Sequence, residues 1–132
     1  IEKVLSEYVD RVRKTKRASD RARSLWKESV RVSLSNIRDS LESCGLTVAD
    51  AYELSGRSPA PVRSADTFAY LQYCAALAYV NAIDVSCLLI NIQNPLDAQR
   101  IIDLLDILEN DAFCFADEIK DLCGEWWSAP TE

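Results

Sequence analysis

The sequence predicts an all-α protein: an antiparallel bundle of three long helices, with a short helix in the first connector. Helix breakers are few, since the 132 residues include only three Gly and four Pro, and no Pro precedes Pro59. Apolar residues recur at steps of three and four along three long stretches, which is the helical period. The hydrophobic share of 48% and the charged share of 27% are those of a globular chain, so we expect a single domain over residues 1–132.

The first helix is expected to span residues 1–44, which contain neither Gly nor Pro. Its apolar stripe is strong at both ends, at Ile1, Leu5, Tyr8 and Val12, and again from Trp26 to Cys44. In between, the same stripe holds only Thr15, Ser19 and Ala22, which offer little surface to bury. We therefore predict either one very long helix or two helices bent near residue 19, where Ser19 could cap the second one. Gly45 is expected to end this element.

The connector, residues 45–63, contains a short helix through Leu54, because Thr47 and Asp50 have the spacing of a capping box. The central helix, residues 64–92, begins at Ser64 or Asp66 and is apolar on nearly every side. A membrane span has similar length and hydropathy, but Gln72, Asn81, Asp84 and Asn91 interrupt this one. We predict a core helix and no membrane association.

The last helix is expected over residues 94–127. In "NPLD", Asn94 is the predicted N-cap and Pro95 stands at the first helical position. Apolar residues from Ile101 to Trp126 follow one face, while acidic residues occupy other positions. We expect the side chain of Trp126, of Trp127 or of both to cover the end of the bundle.

The composition argues against most enzyme classes. Without histidine the chain has no Ser-His-Asp or Cys-His relay and no imidazole metal ligand. The glycines form neither a phosphate-binding loop nor a dinucleotide-binding turn. We therefore predict no catalytic residues, no cofactor and no metal.

The five cysteines contain no CxxC motif, which predicts structural thiols in a reducing, cytoplasmic compartment. Because the sequence does not begin with Met, we expect that residues precede Ile1 in the native chain, and these could carry a targeting signal.

Charge is distributed very unevenly. Residues 1–38 contain eleven Lys and Arg against five acidic residues, whereas residues 39–132 contain four against sixteen. The stretch "RKTKRASDRAR", residues 13–23, concentrates six basic residues. One hypothesis is internal compensation, in which the basic first helix forms exposed ion pairs with the acidic last helix.

A second hypothesis follows from helix length. At 1.5 Å per residue the first helix would be about 66 Å long and the central helix about 40 Å, which leaves about sixteen residues without an internal partner. This predicts a non-enzymatic interaction module that forms a coiled coil with a second copy or binds an acidic protein. The predicted contact residues are Tyr8, Val12, Arg13, Lys14, Lys16, Arg17, Arg21 and Arg23.

Two other functions remain open. The same basic helix, together with Lys27, could bind nucleic acid through phosphate contacts. A carboxylate-based metal-dependent hydrolase would use Asp103 with Asp106 or Glu118 with Asp121, and the opposing helix would contribute Asn81 and Asp84 as buried polar residues. A helix-turn-helix over residues 45–62 is disfavoured, because Pro59 and Pro61 would fall in its second helix.

Overall fold

In a computed structural model the protein is all-α, as the sequence predicts. The structure describes residues 2–124, and all their side chains except those of Ala18 and Ser19. The elements are α1 (Glu2–Ser43), α2 (Val48–Ser55), α3 (Thr67–Cys87), a 3-10 turn (Leu88–Asn91) and α4 (Pro95–Cys123). The long helices α1 and α4 run parallel to each other and antiparallel to α3, so the predicted three-helix bundle with a short connector helix is confirmed.

The first helix is one continuous helix of 42 residues, so the predicted alternative of two helices bent near residue 19 is wrong. At 1.5 Å per residue α1 is about 63 Å long, while α4 is about 44 Å long. Gly45 ends α1 with a φ of 81°. The N–H of Leu46 donates to the carbonyl of Leu41 at 3.2 Å, and that of Gly45 to Glu42 at 2.9 Å. This is the Schellman arrangement of a helix end.

Local capping fixes the starts of the other helices. The Thr47 hydroxyl accepts from the Asp50 N–H at 3.1 Å, and the Asp50 carboxylate accepts from the Thr47 N–H at 2.9 Å, which confirms the predicted capping box. Asp66 rather than Ser64 caps α3, by accepting from Ala69 at 3.1 Å. Asn94 caps α4 as predicted, by accepting from Leu96 at 2.9 Å.

Two predicted helix ends differ from the structure. The central helix does not continue as an α-helix to Ile92, because its last turn, Leu88–Asn91, tightens into a 3-10 turn before the chain becomes extended. The last helix ends at Cys123, followed by Gly124 with a φ of 62°. Trp126 and Trp127 lie outside the described residues.

The core involves only the second half of α1. The largest fully buried side chains are Ile37, Leu41, Leu71, Leu105, Ile119 and Cys44. A row of alanines on α3, at Ala75, Ala76 and Ala82, lets the neighbouring helices approach closely. The Gln72 amide donates to the Cys44 carbonyl at 3.0 Å and joins the start of α3 to the end of α1. The Asn36 amide donates to Glu109 and joins α1 to α4. No described side chain before Ser33 is buried.

One side of α3 is not covered by the bundle. Asn81 and Asp84, predicted as buried polar residues, are both exposed, so that prediction is wrong for the single chain. A bundle of three long helices covers α3 on the side of Ala75 and Ala82, and at 100° per residue Asn81 and Asp84 fall on the other side.

Among residues 2–124, the segment Thr67–Asn91 is the one helical stretch with the length and composition of a membrane span, with 25 residues and a mean hydropathy of 1.7. Central helices of bundles share these properties, and in this chain α3 packs against α1, α2 and α4.

Substituting Gly45 by Ala is expected to lower the free energy of unfolding by about 1 kcal/mol, because only glycine adopts a positive φ without steric cost. Urea denaturation followed by circular dichroism measures this change. Gly56→Ala is the matched control, since Gly56 has a φ of −92° and an added Cβ would lie 3.7 Å from the nearest atom. Equal losses for the two variants would contradict the assignment of Gly45 as the position whose backbone conformation requires glycine.

Candidate functional site

The most distinctive surface is the N-terminal arm, which we define as residues 2–21 of α1. Every side chain described in this range is exposed, and the first half-buried residues are Ala22 and Trp26. Residues 23–34 of α1 face the connection from α3 to α4 at residues 86–93, which forms one end of the bundle. The arm therefore projects about 30 Å beyond that end.

An apolar stripe runs along the arm. Leu5 is 59% exposed, Tyr8 60% and Val12 49%. The helical repeat continues this stripe to Trp26 and on to Ile37, which is fully buried. This face is thus covered by the bundle along the second half of α1 and is left open along the first half of α1. The exposed apolar surface of Leu5, Tyr8 and Val12 is typical of an interaction site.

The predicted basic contact residues lie on and next to the arm. They are Arg13, Lys14, Lys16, Arg17, Arg21 and Arg23, and all six are exposed. None of them forms an ion pair with another residue in the range 2–124. They are therefore free to attract an external acidic group.

The hypothesis of internal compensation is not supported. The ion pairs of α1 are Arg31 with Glu28 and Arg38 with Glu42, and both lie within α1 itself. Within the described part of the chain, the ion pair that reaches α4 from another element is Arg63 with Glu118 at 3.5 Å, and Arg63 belongs to the connector. The reason is geometric, because the basic segment lies beyond the end of the bundle and α4 does not extend alongside it.

The net charge also changes sign along residues 2–23, which are the arm and the two residues that follow it. Residues 2–10 contain three acidic residues and one basic residue, whereas residues 11–23 contain seven basic residues and one acidic residue. The helix is therefore acidic towards its tip and basic towards the bundle. This polarity gives a docking partner a preferred direction.

A shallow depression interrupts the stripe in the middle of the arm. It is lined by Tyr8, Arg11, Val12, Thr15 and Lys16. The Thr15 hydroxyl donates to the Arg11 carbonyl at 2.9 Å. Because this hydroxyl is already hydrogen-bonded within the helix, burying Thr15 against a partner leaves its donor satisfied.

A groove of about 730 Å³ lies where the arm meets the bundle. Its apolar lining includes the half-buried side chains of Trp26, Val30, Leu34, Leu89 and Ile92. Arg23, Lys27 and Arg31 contribute basic groups to the same lining. The sequence did not predict this groove, because its two walls are about sixty residues apart in the chain and meet only through the packing of α3 on α1.

The carboxylates proposed for a hydrolase do not come together. Asp103 and Asp84 are exposed, and Asp103 accepts a hydrogen bond from Gln99 at 2.9 Å. Glu118 is engaged by Arg63. Within residues 2–124 no group of three acidic or cysteine side chains is placed to hold a metal ion. The hydrolase hypothesis therefore gains no geometric support.

The cysteines fall into two environments, which leads to a prediction. Burial raises the pKa of the Cys44 thiol to about 11, so this thiol stays protonated and shielded. Cys87 and Cys114 are exposed, so the prediction of structural thiols does not hold for these two. We expect iodoacetamide to alkylate Cys87 and Cys114 first in the folded protein and Cys44 only after unfolding, as measured by peptide mass spectrometry. Early modification of Cys44 would contradict its burial.

Comparisons with models of known protein families, with characterised proteins and with solved structures found no match. The functional interpretation therefore depends on the geometry and charge of the arm.

Proposed function

We propose that this protein is a non-enzymatic association module whose N-terminal arm is the contact element, binding either a second copy or an acidic protein. The observation that carries the proposal is the open apolar stripe of the arm, which its own bundle leaves uncovered. The apolar residues supply affinity by burial, and the basic residues raise the association rate and select an acidic surface.

The direct test is removal of the arm. A chain that begins at Ala22 retains every buried side chain of the bundle, the first of which is Ser33. We expect it to fold with an unchanged thermal transition and to lose the association that we propose for the chain with its arm. Sedimentation velocity and circular dichroism measure the two properties. Association that survives the deletion would contradict the proposal.

Nucleic-acid binding is the second candidate, and the unpaired basic residues of the arm favour it. Two observations weigh against it. Residues 39–132 contain sixteen acidic residues against four basic ones and would repel a polyanion. No aromatic residue lies within residues 13–23 to stack on bases.

We expect no binding to a generic duplex or single strand at about 0.15 M salt, because the Debye length at that salt is only about 8 Å and the attraction between exposed charges is largely screened beyond it. Fluorescence anisotropy with a labelled oligonucleotide checks this. Binding that persists at that salt, and that drops when Arg13, Lys14, Lys16 and Arg17 are all replaced by Gln, would favour the nucleic-acid function instead.

A further inference from the structure

We propose that the partner of the arm is the arm of a second copy, bound as an antiparallel coiled coil in which Leu5 lies opposite Ala22 and Val12 opposite Thr15. This inference rests on the proposed function, since it assumes association through the arm and adds the identity, direction and register of the partner. The contact is two-fold symmetric, so each pair occurs twice.

The side chains along the stripe differ in size between its two halves. The positions of the seven-residue repeat are occupied by large residues at Leu5, Tyr8 and Val12, and by small ones at Thr15 and Ala22. An antiparallel partner in this register brings the large half of one helix against the small half of the other. The small stripe residues in the middle of α1 therefore complement in size the large stripe residues near the start of α1 in the second copy.

The positions that flank the stripe are also complementary in this register. In this register Val4 lies opposite Leu25, and these two apolar residues are 65% and 64% exposed in the single chain. Glu2 lies opposite Arg23, which pairs an acid with a base. Val9 lies opposite the aliphatic stem of Lys16. No like charges face each other at these positions.

The change of charge along the arm favours an antiparallel partner. An antiparallel partner in this register places residues 2–10, with three acidic residues and one basic residue, opposite residues 17–25 of the other helix, with three basic residues and one acidic residue. Only the basic residues 11–16 then face the same segment of the second copy. A parallel pair would instead place the two basic segments side by side, and would bring Arg11 against Lys16 at the flanking positions. Repulsion between these segments disfavours the parallel arrangement.

The two-fold axis of the proposed antiparallel dimer passes midway between Val12 and Thr15 of each helix. The depression lined by Tyr8, Arg11, Val12 and Thr15 lies at that point, and its residues have the spacing of the four-residue hole that accepts a knob in a coiled coil. At the other end of the overlap, the tip of each arm reaches the basic mouth of the groove at Arg23 and Lys27 of the second copy.

Disulfide trapping tests the register. In a background of residues 1–132 with the other four cysteines replaced and the shielded Cys44 retained, Leu5→Cys and Ala22→Cys variants are oxidised separately and as a mixture. We expect a covalent dimer in the mixture and only monomer in each variant alone, on non-reducing gels. A covalent dimer from Leu5→Cys alone would overturn the antiparallel arrangement. No covalent dimer in any sample, with association retained in sedimentation, would overturn the register.

Charge reversal gives a second test that leaves the cysteines unchanged. Glu2→Arg and Arg23→Glu should each weaken self-association by up to about 10-fold, because each places two like-charged pairs in the dimer. The double variant Glu2→Arg/Arg23→Glu should restore the original affinity. Additive losses in the double variant would overturn the predicted pair.

The two proposals fail in different ways. A full chain that remains monomeric at every concentration, while its arm is still required to bind an acidic protein, overturns the second copy as partner and leaves the proposed function intact. A dimer that survives deletion of residues 1–21 contradicts both.

Discussion

Replacing Leu5 by Asp is expected to weaken self-association at least about 100-fold while the melting temperature of the bundle stays the same. Leu5 is 59% exposed in the single chain and lies far from the core. In the proposed dimer two copies of Leu5 become buried, and burial of a leucine contributes about 1.5–3 kcal/mol. A loss of about 3 kcal/mol corresponds to a change of more than 100-fold in the dissociation constant. Sedimentation equilibrium over a range of concentrations measures it.

Ser6→Asp is the matched control for this prediction. It introduces the same charge one residue further along the arm, on the face of the helix that points away from the stripe. We expect its affinity to remain within a few-fold of that of the unaltered chain. Similar losses for both variants would show that general electrostatics, rather than the stripe, governs association.

Replacing Leu105 by Ala should reduce the free energy of unfolding by about 2–5 kcal/mol, through lost burial and the cavity that remains. Leu105 is 1% exposed and belongs to the core between α4 and the other helices. Chemical denaturation of a variant that does not self-associate, such as Leu5→Asp/Leu105→Ala compared with Leu5→Asp, isolates the effect on the bundle.

The neighbouring Leu104 supplies the control, since it is the same residue type on the same helix but 42% exposed. Leu104→Ala should cost less than about 1 kcal/mol, because its side chain leaves a smaller cavity. If the two substitutions were equally costly, the orientation of α4 against the bundle would be wrong.

The sequence could predict what depends on neighbours in the chain. The capping box at Thr47 and Asp50, the cap at Asn94 and the helix end at Gly45 follow from local hydrogen bonds, and all are present. The three long helices followed from apolar spacing. The exposure of the arm was expected from helix length alone, because a rise of 1.5 Å per residue leaves a long helix without a neighbour of equal length.

The burial of residues on α3 and the groove could not be predicted, because both depend on how many helices surround a given helix and where they pack. Asn81 and Asp84 were expected in the core because α3 is apolar on most sides, but three long helices cover only part of it. The groove beside Trp26 needs the connection from α3 to α4, which is distant in sequence. The bend near residue 19 was a reasonable alternative because the stripe weakens there, yet α1 continues through this position as one helix.

Amide hydrogen exchange of the full chain at low and high protein concentration tests the central claim, that the arm is uncovered by its own bundle and covered by a second copy. The account predicts rapid exchange over residues 2–21 in dilute solution, since isolated helical segments of this length are marginally stable. It predicts clear protection of the same amides at high concentration, while residues of the core between Ile37 and Ile119 exchange slowly throughout. Strong protection of the arm in a dilute, monomeric sample would contradict it, because only contacts within one chain could then provide the protection.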